Sequence, residues 1–173
     1  MLQLKFRFFK YLLSAGLVLA VVSCDEDSQD LGDFTGNEIT YQLFAGSGYN
    51  NEGYITFKER KDKSIQAEVT LSNTQAGGIH PLHLHREPIA ADGDLVALLN
   101  PVDGKTGKSL TIFNVLGDET AFTYTDLLNF NGSIKVHLDD GLNKDEVLSG
   151  GNVGINKMSD TNVVSCSDFS TDL

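Results

Sequence analysis

Leu82-His83-Leu84-His85 and Ile134-Lys135-Val136-His137-Leu138 both alternate strictly between aliphatic and basic residues. Successive side chains of a β-strand point to opposite faces, so this period of two puts every leucine, isoleucine and valine on one side and every histidine on the other. A helix would scatter the same residues around its axis. The aliphatic face suits a core, which leaves His83, His85 and His137 facing outward.

Outward from these two stretches the pattern repeats. Ile39-Tyr41-Leu43, Tyr54-Ile55-Thr56-Phe57, Ile65-Ala67-Val69-Leu71, Leu95-Val96-Ala97-Leu98 and Leu110-Ile112 are further short apolar alternations. Turn residues separate them at Gly46-Ser47-Gly48, Lys61-Asp62-Lys63, Ala91-Asp92-Gly93-Asp94 and Asp103-Gly104. Roughly seven or eight strands at this spacing predict an all-β fold, an antiparallel sandwich or barrel. One segment departs from the pattern and predicts a short helical turn near 124–130. The composition agrees: 17 Gly, 3 Pro and no Trp in 173 residues suit a turn-rich β protein.

The first segment reads as an address. Lys5, Arg7 and Lys10 are followed by the apolar run Leu12 to Val22, and no acid precedes Asp25. Eleven residues at about 1.5 Å each fall short of a hydrocarbon layer of roughly 30 Å, so this is the core of a cleaved leader. The run ends Val21-Val22-Ser23-Cys24, which resembles the lipobox of bacterial lipoproteins. That resemblance implies diacylglycerol on Cys24 and a lipid anchor in the membrane, because multiple acyl chains hold without any spanning helix. Asp25-Glu26-Asp27-Ser28-Gln29-Asp30 then forms a solvated acidic tether. Such acidic runs resemble those that carry Gram-negative lipoproteins to the outer surface of the outer membrane; the alternative is a periplasm-facing anchor. The expected organisation is leader 1–23, tether 24–37 and one domain over 38–173.

The whole chain carries a net charge of −11, from 13 Lys and Arg against 24 Asp and Glu. Removing the leader removes three bases and no acid, leaving ten bases and a net charge of −14. Nucleic-acid binding, which needs clustered Lys and Arg on phosphates, is excluded on that balance. A lipidated Cys24 leaves Cys166 without a partner and the chain without an internal disulfide.

Only four histidines occur, and His80, His83 and His85 fall within six residues. If the two histidine strands are neighbours, His83, His85 and His137 converge on one face of a rigid sheet. Imidazole nitrogen suits copper and zinc, and strands hold ligands in place better than loops do. Asp139 and Asp140, which follow His137, are candidates to orient an imidazole, although a solvated turn accounts for them as well.

Gly78-Ile79-His80-Pro81-Leu82-His83-Leu84-His85 resembles the first copper-ligand strand of copper–zinc superoxide dismutases, with the same H-x-x-H-x-H spacing. Val136 to Leu142 and Gly150 to Ile155 resemble that fold's second copper strand and its closing glycine-rich strand. A closer resemblance is to the CHRD domain, through the block Ala76 to His85 and the N-F-N-G-x-x-x-V-H-L stretch Asn129 to Leu138. This resemblance spans about Glu38 to Asn156. It implies a dismutase-like Greek-key sandwich, with His83, His85 and His137 on three copper-ligand positions and His80 on a neighbouring one.

The departures from the dismutase pattern are specific. Arg86 to Leu116 contains no histidine, so the bridging and zinc-loop ligands are missing, and Val147 stands where the anion-guiding arginine falls. The expectation is a binding or structural module and not an enzyme. It has one copper or zinc ion on His83, His85, His137 and His80 as the sharper alternative, and a degenerate dismutase as the remaining one. The sequence names no further extracellular or periplasmic ligand.

Overall fold

The computed structural model describes residues 32–157. The leader, Cys24, most of the tether, Cys166 and the segment from 158 onward lie outside the described residues.

Eight strands form the domain: β1 Phe34–Ala45, β2 Gly53–Arg60, β3 Ile65–Leu71, β4 Ile79–Arg86, β5 Leu95–Asp103, β6 Lys108–Phe113, β7 Asn131–His137 and β8 Val147–Gly154. They close into an antiparallel barrel in the order β1-β2-β3-β6-β5-β4-β7-β8. The chain leaves β3 for β4 on the opposite side and returns through β5 to place β6 beside β3, a Greek-key path. The closure is thin at two seams. β1 meets β8 only at Phe44↔Gly150 and Ala45↔Ser149, and β5 meets β6 at Asp103↔Lys108. Sandwich and barrel are therefore both fair descriptions: two well-paired halves, joined at their edges.

The core follows the period of two. Leu43, Ile55, Phe57, Ile65, Leu82, Leu84, Val102, Ile134, Val136 and Val153 are all fully buried. Ten aliphatic and aromatic side chains of this size, at about 1.5–3 kcal/mol each on burial, are the main drive for folding. One end is closed by the helix α1, Tyr124–Leu128, where the helical turn was expected. Thr123 and Asp126 form a reciprocal capping box at its start, and Leu127 is driven wholly into the core.

One boundary and one parity differ from expectation. β1 begins at Phe34, not Glu38, and includes an irregularity between Phe34 and Glu38. The Phe34 ring lies under Arg60 and Lys58, 5.4 and 6.0 Å from its centroid, and Asp33 pairs with Arg60. These contacts extend the domain into the end of the expected tether. In β6 the buried residue is Thr111, while Leu110 and Ile112 are half exposed. The Thr111 hydroxyl accepts from the Asn100 amide at 2.8 Å across the β5–β6 seam, a bond that fixes this register.

Candidate metal centre

β4 and β7 are neighbours, paired Leu82↔Val136, His83↔Lys135, Leu84↔Ile134 and His85↔Ser133. This register carries His83, Lys135, His85, Ser133 and His137 to one face, opposite the core leucines. The face is not open to solvent. β7 is buried on both sides, with Ser133 0%, Lys135 5% and His137 8% exposed.

The cover is the β4–β5 connection, Glu87 to Asp94, which folds back across the sheet. A 3-10 turn at Ile89–Ala91 anchors it: the Ile89 amide donates to Asn152 Oδ1 of β8 at 2.8 Å, and the Ile89 side chain is buried. Gly150 makes room for it, since a Cβ there would sit 2.5 Å from Ile89 Cδ1 and 2.8 Å from the Ile134 carbonyl. The turn ends at Asp92 in the left-handed region, φ 48°, and the Asp92 carboxylate pairs with Lys135. Gly93 then presents its carbonyl to His85 Nδ1 at 2.8 Å.

Three imidazoles converge beside this cover. His83, His85 and His137 offer ring nitrogens that all lie within 4.8 Å of one another, the spacing a single ion needs. Ring centroids are 4.5 Å apart for His83 and His137, 5.8 Å for His83 and His85, and 6.4 Å for His85 and His137. The Gly93 carbonyl can only accept, so His85 Nδ1 carries the proton and Nε2 keeps its lone pair, buried and without a hydrogen bond. Both ring nitrogens of His137 are likewise buried without a hydrogen bond of good geometry, and the Lys144 backbone lies near enough to favour the protonated ring slightly. Buried polar atoms are usually satisfied, so three orphaned nitrogens on two neighbouring rings that converge with His83 mark a place for an acceptor of lone pairs; His80 Nε2 is also buried without a partner, but lies outside that group.

The electrostatics keep these rings neutral. Burial pushes the His137 imidazolium down to about 4 from 6.5, with His83, His85 and Lys135 adding to the depression. His83 and His85 are lowered in the same way, burial first. A neutral imidazole is the form that binds a metal. The donor set is three neutral nitrogens, chemistry that fits copper or zinc.

His80 departs from the expected fourth ligand. It shares the parity of Leu82 and Leu84, is 2% exposed, and donates from Nδ1 to the Leu138 carbonyl at 2.8 Å. It ties β4 to the residue after His137 and stands outside the three-histidine group. Gly78 packs on its ring, where a Cβ would lie 2.8 Å from Nε2. Asp139 is also engaged elsewhere. Its carboxylate accepts from the Gly141 and Asn143 amides and the Asn143 side chain, closing the turn after β7. The groups that orient imidazoles here are backbone carbonyls, on Gly93 and Leu138. No hydrogen bond links Asp139 or Asp140 to a histidine among the described residues.

Lys135 and Asp92 are the site neighbours that sequence reasoning missed. The parity of Lys135 with His137 was visible, but its burial depends on a connection that packs from another part of the chain. No protein-family model, no curated protein and no solved structure matches the chain.

Proposed function

We propose that this chain is a lipid-anchored, extracytoplasmic CHRD-like module that holds one copper or zinc ion through His83, His85 and His137. The observation that carries the reading is the convergence of one ring nitrogen each from His83, His85 and His137 within 4.8 Å on two adjacent strands, with His85 Nε2 and both His137 nitrogens buried and without a hydrogen bond. Bound there, the ion would supply Lewis acidity or, for copper, electron exchange. The chain's own residues do the holding: β4 and β7 fix the ring positions, Gly93 fixes the His85 tautomer, and the Glu87–Asp94 cover limits water.

The leader, Cys24 and the acidic run behind it support an anchor in the outer membrane, with the barrel on the outer surface. A dismutase reading has less support. Residues 86–116 contain no histidine to bridge a second metal, Val147 replaces the guiding arginine of the dismutase pattern, and the net charge of −11 repels an anionic substrate. Holding or buffering a metal asks for none of these.

The test is the metal content of the full chain after chelation, reloading with Cu²⁺ or Zn²⁺ and exhaustive dialysis. One retained ion per chain, lost in His83→Ala/His137→Ala, is the expected result. No retained ion, or equal retention by the double variant, overturns the reading.

A further inference from the structure

The nitrogens that would hold an ion are closed off from water. His85 Nε2 and both ring nitrogens of His137 have essentially no solvent-accessible surface. A hydrated ion is wider than a water molecule, so it reaches these atoms only when part of the fold moves aside. The strands are the wrong part to move. β4 is paired to β5 and β7, and β7 to β4 and β8, so lifting either breaks ladder hydrogen bonds on two sides.

The Glu87–Asp94 cover is held more lightly. Its base is pinned where the Arg86 amide donates to the Asp94 carbonyl and the Glu87 amide to the Asn131 carbonyl, both at 2.8 Å. Above that base only Ile89 is buried. The segment meets the sheet through Ile89, whose amide donates to Asn152 and whose side chain rests on Gly150, and through Asp92 on Lys135. It also meets a ligand directly, through the Gly93 carbonyl on His85. Glu87 and Asp92 stand in the left-handed region, φ 69° and 48°, which costs free energy for residues with a Cβ. The closed shape therefore depends on the contacts that hold it down. The connection after His137 is tied differently. The Leu138 amide donates to the Glu146 carbonyl, Asp139 holds Asn143, and the Tyr49 hydroxyl donates to the Glu146 carboxylate.

We propose that the Glu87–Asp94 cover is the gate of the three-histidine site, latched by Asp92 on Lys135 and by Ile89 on Gly150, and that its opening sets how fast an ion enters and leaves. The proposal rests on the metal reading and adds the regulation of that site. Neither latch uses a ligand nitrogen, so loosening one leaves the donor set intact and raises the open population with or without an ion. Entry and exit then quicken together, and their ratio, the affinity, moves far less.

Zn²⁺ uptake and release are timed by stopped flow in the full chain, Asp92→Asn and Ile89→Ala, with a chromogenic zinc chelator drawing off the released ion. Asp139→Ala, which loosens the connection after His137, is the comparison. Thermal melts confirm that each variant is folded. Both rate constants are expected to rise by at least about fivefold in the two cover variants and to keep the parent values in Asp139→Ala. Loss of the Asp92 charge alone would slow the entry of a dication, so a rise in both rates is the mark of the gate.

Faster exit without faster entry in both cover variants is a weakened site and overturns the gate. Unchanged rates in both, or a larger gain in Asp139→Ala, overturn it as well. A parent chain that retains no Zn²⁺ through His83 and His137 overturns the metal reading itself, and the gate with it.

Discussion

His83 and His137, on adjacent strands, hold their imidazole centroids 4.5 Å apart with ring planes inclined at 47°. Two protonated imidazoles at that separation would repel strongly, so the arrangement is stable only while the rings stay neutral or share a cation other than a proton.

The first consequence is a pH dependence. The His137 pKa is lowered in the fold from 6.5 to about 4. Between these values the unfolded chain takes up a proton that the folded chain refuses, so stability is full above about pH 6.5 and falls as pH drops toward 4. His83 and His85 are lowered too and add in the same direction. The metal-free protein is expected to lose on the order of 2–3 kcal/mol from His137 alone across this window. Urea melts at stepped pH check it; a flat profile in that range, or a rise in acid, would contradict it.

His80 makes a separable prediction. His80→Ala removes the donor to the Leu138 carbonyl and leaves a buried acceptor unpaired, at a cost of about 1–3 kcal/mol plus the cavity. The metal stoichiometry of the folded variant should stay at that of the parent chain. A folded His80→Ala protein that had lost its ion would make His80 a ligand after all.

Gly150 tests the cover. Gly150→Ala puts a methyl group 2.5 Å from Ile89 Cδ1 and 2.8 Å from the Ile134 carbonyl, so the Ile89 side chain is displaced from its seat on the sheet and the β7 backbone beside it must give as well. Such overpacking typically costs about 1–3 kcal/mol. Hydrogen exchange should quicken at the Ile89 amide and at backbone positions from 87 to 94, while the β2 and β3 amides keep their protection. Unchanged exchange in the cover would mean that the Ile89 contact does not hold it down.

The anchor is open to a direct check. Cys24→Ala should abolish incorporation of labelled fatty acid and move the chain from the membrane fraction to the soluble one. Persistent labelling of the variant would place the lipid elsewhere, and absence of labelling in the parent chain would remove the lipoprotein reading.

The histidine alternation was legible because it is local: parity alone places His83, His85 and His137 on one face, and the β4–β7 register brings them together. The same parity rule puts His80 with Leu82 and Leu84, yet the match of its spacing to a ligand motif outweighed that signal. The burial of Lys135 and His137 was not legible. It arises from the Glu87–Asp94 connection, a turn-rich loop whose Ile89 finds a gap at Gly150, sixty-one residues further along the chain. Leu110 and Ile112 misled for a related reason. Their alternation is real, but the hydroxyl of Thr111 fixes the seam with Asn100 and turns the aliphatic residues outward.

The central claim is that His83, His85 and His137 form one metal site, and the most direct measurement is a metal titration followed by melting temperature. The chelated full chain, and its His83→Ala/His137→Ala variant, are melted at increasing free Cu²⁺, Zn²⁺ and, under ascorbate, Cu⁺. A single site stabilises the fold by about 1.4 kcal/mol for each tenfold rise in free metal above its Kd. The account predicts that rise at one equivalent in the parent chain and its absence in the variant. A parent chain whose melting temperature ignores every ion, or a variant that gains as much as the parent, would contradict it.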